Sequence, residues 1–141
     1  MTPEFKEYAK QVLLNAKALA KCFINLGYDI VTGGTDNHLF LIRVGDGDKV
    51  QKMLEEDEIF VNKNTVPGDE SAMKPTGIRI GTCAITTMGM KEQDMSVIAT
   101  FIYLIIKGEK IVDRNSVIEY IKRWKIVQEK DITFSKDITG C

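Results

Sequence analysis

His38-Leu39-Phe40-Leu41-Ile42-Arg43-Val44 alternates along its length and is built from bulky residues, the pattern of a β-strand with two unlike faces. Leu39, Leu41 and Arg43 fall on one side, and Phe40, Ile42 and Val44 on the other. Residues 59–62 and 77–82 read as two further strands. In the latter, Ile78 and Ile80 share a side and Arg79 points the opposite way. Residues 29–32 form a short extended piece that leads into a turn at 33–37, and Gly45-Asp46-Gly47 ends the strand after it.

Helices flank these strands. Phe5, Tyr8, Ala9, Val12, Leu13, Ala16, Leu19, Ala20, Phe23 and Ile24 recur at helical gaps and share one face. Thr2 suits the N-cap, Pro3 the first helical position and Glu4 the first turn, while Gly27 is the natural stop. Residues 48–58 predict a short helix with Val50, Met53 and Leu54 inward. Residues 91–107 predict a long one, with Met95, Ile98, Phe101, Ile102, Ile105 and Ile106 inward and Gly108 at its end. A last helix is signalled by Asn115, or by the box Ser116-x-x-Glu119, followed by Val117, Ile118, Ile121, Trp124 and Val127. Few short strands between long one-sided helices imply an α+β domain: a small, mainly antiparallel sheet with helices packed on one face. The expected organisation is a domain over 1–108, with 109–141 as a C-terminal helix and patternless tail of the same domain.

The 141 residues allow one domain. The net charge of -1, with acids and bases interspersed, argues against a general electrostatic grip on nucleic acid or anionic membrane. The most apolar run, 95–106, is too short to span a bilayer. Cys22, Cys83 and Cys141 show no C-x-x-C spacing and His38 is the sole histidine, so no metal site is expected. Three free thiols and no secretory signal at residues 1–5 predict a cytoplasmic protein. Residues 64–76 hold two prolines and no periodicity, and a loop of that length in a compact domain points to function.

Gly33-Gly34-Thr35-Asp36-Asn37-His38-Leu39 resembles a signature of the serine (glycine) hydroxymethyltransferases. Three further blocks match in family order: Pro3-Glu4-Phe5-Lys6-Glu7-Tyr8 with Asn15-Ala16-Lys17-Ala18, Val61-Asn62-Lys63-Asn64-Thr65-Val66-Pro67, and Gly77-Ile78-Arg79-Ile80-Gly81-Thr82, continuing through Ala84-Ile85-Thr86-Thr87 and Gly89. Together they cover residues 3–108, and four ordered blocks are a specific signal. The resemblance implies the C-terminal small domain of a fold-type I pyridoxal-phosphate transferase. Such enzymes are homo-oligomeric. They interconvert serine and glycine, passing one carbon to tetrahydrofolate, with the cofactor on a lysine of a large domain in the same or another chain.

By this resemblance Arg79 clamps the α-carboxylate of the amino-acid substrate, a task suited to a planar guanidinium. From alternation alone, Arg79 reads as an arginine on the polar face of an edge strand, paired with any acid. The resemblance places Asn64 against the pterin of the folate and Lys63 near its glutamate tail. Read by itself, Asn64 could be satisfying the backbone of its own loop. The 33–38 turn reads as structural, and no catalytic residue is assigned to this chain. The family usually has proline where Cys83 stands and arginine where Met88 stands. The threonine-rich T-x-x-H-K block that carries the cofactor lysine is not found, since no lysine follows His38. The expectation is therefore a domain that is inactive alone. The other reading is a degenerate, non-catalytic module that binds folate or a protein.

Overall fold

The computed structural model describes residues 2–108 except 32, 33, 36 and 58; the helix expected from residue 115 onward lies outside them. Helix α1 (Pro3–Asn25) begins where expected, with the Thr2 hydroxyl accepting the Phe5 N–H at 3.2 Å. The chain leaves it through Gly27, whose φ of 95° an L-residue rarely adopts. Strands β1 (Asp29–Ile30) and β2 (Leu39–Arg43) follow, then helix α2 (Gly47–Glu56), capped by the Asp46 carboxylate on the Lys49 N–H. Strands β3 (Asn62–Asn64) and β4 (Gly77–Gly81), the one-turn helix α3 (Cys83–Thr87) and the long helix α4 (Glu92–Lys107) complete the described chain. Gly108 ends α4 in the left-handed conformation.

The four strands form one antiparallel sheet in the order β1-β2-β4-β3. Phe40 and Ile42 of β2 and Ile78 and Ile80 of β4 are buried among Leu19, Phe23, Leu54, Met95 and Ile102 of the helices. The opposite face, with Leu39, Leu41, Arg43 and Arg79, is only half-buried or exposed. The expected α+β architecture is therefore the observed one.

Several expectations are corrected. The third strand is Asn62–Asn64 rather than 59–62, because the ladder is set by the pairs Asn62↔Arg79 and Asn64↔Gly77; residues 59–61 run irregularly and Phe60 is 76% exposed. The strand carrying Arg79 is central, not an edge. The apolar stripe of α1 is narrower than the sequence implies, since Phe5, Leu13 and Ile24 are exposed while Asn15 is fully buried. Helix α3, five residues long, was not expected: one turn is too short for a periodic signal. Cys22 is a free thiol, whose pKa burial pushes up against the lowering influence of Lys21. Cys83 is disulfide-bonded rather than free, with its side chain packed partly buried against Tyr8 and Val12.

A buried polar chain joins α1 to the β4–α3 corner. The Asn15 amide donates to Thr86 Oγ1 and to the Met90 carbonyl, both at 2.9 Å, and Thr86 Oγ1 donates to the Thr82 carbonyl at 2.6 Å. Thr82 Oγ1 in turn donates to the Val12 carbonyl at 2.8 Å, and the Thr82 N–H donates to the carbonyl of His38 at the mouth of β2. The exit of β4 is thus tied to both α1 and β2. At the outer edge of the sheet, α2 lies against β3, and Gln51 Oε1 accepts the Lys63 N–H at 2.8 Å.

Candidate functional site

Register decides which expected residues can act together. Residues directly opposite in an antiparallel pair put their side chains on the same face, and a shift of one position reverses that face. Arg79 lies between Leu41 of β2 and Asn62 of β3 on the open face. Its guanidinium is exposed and makes no ion pair or hydrogen bond among the described residues. The other arginine of this face is engaged: Arg43 Nε lies 2.8 Å from Asp29 Oδ2, and Nη1 donates to the Pro67 carbonyl at 2.8 Å.

Lys63 pairs with Ile78 and so belongs to the helix-covered side. There its ammonium meets Asp48 Oδ1 at 2.9 Å, while Lys52 holds the other carboxylate oxygen at the same distance. The hydrogen bonds from Lys63 and then Lys52 hold the Asp48 carboxyl below the usual carboxylate range. Asn64, half-buried opposite Gly77, donates its amide to the Thr65 carbonyl at 2.8 Å, leaving Oδ1 without a partner among the described residues. The structure therefore brings Arg79 and Asn64 to one face of the sheet and sends Lys63 to the other.

The loop after Asn64 is held shut by one acid. Asp69 Oδ2 accepts the N–H groups of Val66 and Thr76, each at 3.0 Å, and Oδ1 accepts the Thr76 hydroxyl. These bonds, the Thr76 hydroxyl first, lower the Asp69 pKa. The start of this loop folds back over the end of the open face, where Val66 is buried against Gly77. The face is left uncovered at Arg79.

Two cavities lie nearby. A polar one of about 1070 Å³ separates the start of α2 from the loop, with Asp48, Lys63, Asp69 and Lys74 on its walls. An apolar one of about 270 Å³ sits under α4 and is lined by Leu19, Phe60, Ile80, Met88, Ile98 and Ile102. Arg79 lines neither. Among the described residues no group of histidine, cysteine and carboxylate could hold a metal ion, and no helix is long and apolar enough to cross a membrane. Every described lysine is exposed. A lysine that forms an imine works desolvated, or beside a cation, with its pKa lowered, so these residues do not fit a covalently held pyridoxal phosphate.

Sequence reading gave no role to Asn62, the cross-strand partner of Arg79, or to the buried Asn15. The first becomes visible only once β3 and β4 are paired. The second stands three residues after Val12 and four before Leu19, so an amide set within an apolar stripe was the available signal.

The family model for serine hydroxymethyltransferase matches residues 1–102. A serine hydroxymethyltransferase of Plasmodium falciparum is 41% identical over 153 aligned positions, covering 95% of this chain and 35% of that protein. The cytosolic enzyme of Oryctolagus cuniculus is 50% identical over 107 residues, covering 73% of this chain and 22% of that protein. A chloroplastic one of Arabidopsis thaliana is 50% identical over 105 residues, covering 72% and 20%. The chain thus spans between a fifth and about a third of the length of these relatives, whose names place them in different compartments. With the family model covering most of its length, the chain belongs to the serine hydroxymethyltransferase family.

Proposed function

We propose that this chain acts as the small domain of a serine/glycine hydroxymethyltransferase. Arg79 grips the α-carboxylate of the amino acid, and Asn64 and Lys63 meet the folate. A large domain, in the same or another chain, holds pyridoxal phosphate and completes the site; alone, the chain is inactive. The observation that carries this reading is the exposed Arg79 with no partner among the described residues, on a central strand whose exit is fixed by buried hydrogen bonds. A cation held on a rigid strand with its fork free is prepared for an external carboxylate. The free Oδ1 of Asn64 supports its role toward a pterin edge. The Lys63–Asp48 pair is exposed and therefore weak, so an anionic glutamate tail can displace Asp48.

One observation favours the second reading, a non-catalytic module that binds folate or a protein. Met88, at the position where the family resembled here has arginine, is buried in the apolar core. Mixing the chain with a separately expressed, cofactor-loaded large domain separates the two readings. Glycine formed from serine and tetrahydrofolate, and lost about 100-fold in Arg79→Ala as two charge-assisted hydrogen bonds disappear, supports the enzymatic reading. Folate binding without turnover supports the other.

A further inference from the structure

We infer that Asn62 is a second residue of the carboxylate site, donating its side-chain amide to the carboxylate that Arg79 grips. This rests on the reading of Arg79 given above.

Asn62 and Arg79 are direct cross-strand partners in the antiparallel β3–β4 ladder. Their Cβ atoms are therefore about 5 Å apart on one face. Both side chains are exposed, and neither makes a side-chain hydrogen bond or ion pair among the described residues. The other neighbour of Arg79 across the sheet is Leu41, which has no polar side-chain atom. Gly77 and Gly81, two positions away on β4, add no side chain to this face.

A carboxylate bound side-on by Nε–H and one Nη–H lies over one of the two neighbouring strands. Over β2 it would meet Leu41 and lose water without gaining a partner, which is costly. Over β3 it meets the Asn62 amide, whose two N–H groups can donate to an oxygen the guanidinium leaves free. The ladder thus selects the β3 side and makes the grip three-pointed. Lys63, the neighbour in sequence, is one position along β3 and on the wrong face.

The test uses the 141-residue chain and acetate as a bare carboxylate, titrated at constant ionic strength against sodium chloride, with side-chain 1H–15N NMR of Arg79 and Asn62. In the wild-type chain, saturable shifts are expected at both side chains with a common midpoint. Arg79→Ala abolishes them. Asn62→Ala raises the midpoint about 10-fold, the loss of one hydrogen bond to a charged group. Asn62→Asp raises it by more than about 10-fold, because an aspartate opposite Arg79 competes for the guanidinium. Both positions are exposed, so the variants fold. If Arg79→Ala abolishes binding while both Asn62 variants bind like wild type, the assignment of Asn62 is overturned and the Arg79 reading survives. No saturable shift in the wild-type chain overturns the assignment of Asn62, while the Arg79 reading is decided separately by turnover with the large domain.

Discussion

Asn15 in the first helix donates its amide to the carbonyl of Met90, 2.9 Å away, across 75 residues of sequence. The same amide reaches Thr86 Oγ1, and Asn15 Oδ1 accepts from Gln11 Nε2 at 2.9 Å. Replacing this fully buried side chain with alanine takes a donor from the Met90 carbonyl and from Thr86 Oγ1, which keeps only its own bond to the Thr82 carbonyl. Asn15→Ala is expected to cost about 3 kcal/mol, read as a lower urea midpoint with an unchanged slope. A cost below about 1 kcal/mol would show that water replaces the amide at no loss.

Asp69 gives the loop its acid sensitivity. Its pKa is lower folded than unfolded, chiefly through the Thr76 hydroxyl. The carboxylate therefore favours the folded state at any pH above the usual carboxylate value of about 3.9. That contribution disappears as the pH falls through the folded pKa. Asp69→Asn is expected to melt lower than wild type at pH 7 and to lose less on acidification from pH 5 to pH 2. Parallel melting curves for the two proteins across that range contradict this assignment.

Gly77 is required for lack of space. A Cβ there would stand 2.5 Å from Val66 Cγ1, 3.0 Å from the Asn64 carbonyl oxygen and 3.2 Å from that of Ile42. Two of these neighbours are backbone of the flanking strands and cannot turn aside. Gly77→Ala is expected to destabilise by about 2 kcal/mol and to shift the backbone amide signals of β3. Unchanged signals at Asn62–Asn64 would mean the strands part without strain.

Met88→Arg restores the residue of the family resembled here. In this chain position 88 is 8% exposed and borders the apolar cavity under α4. A guanidinium there must leave water or thread toward the surface. A loss of about 2–4 kcal/mol is expected for the chain on its own, measured by denaturant unfolding. Wild-type stability would mean that the cavity already offers the charge a route to solvent.

Much of the fold was legible because periodicity reports burial. The alternation of β2 separated Phe40 and Ile42 from Leu41 and Arg43, and the helical spacing of α1 and α4 identified Phe23, Met95 and Ile102 as core. What was not legible depends on pairing between distant segments. The start of β3 moved because β4 selects the residues opposite Arg79, and three apolar residues in a row at 59–61 imitate a strand without a partner. Arg79 was identified from its sequence block, whereas Asn62 needed the ladder. Lys63 and Asn64 were named together by resemblance; that they look to opposite sides of the sheet follows only from the strand.

The Gln51 side chain resting on the Lys63 N–H has a consequence for solubility. An outermost strand normally advertises unpaired backbone donors, and a stray strand from another molecule can zip onto them. Here that donor is occupied from within the same chain, and the lysine and aspartate beside it add charge to the rim. Growth of the sheet into a polymer is discouraged on that flank, while the open face around Arg79 carries no such guard.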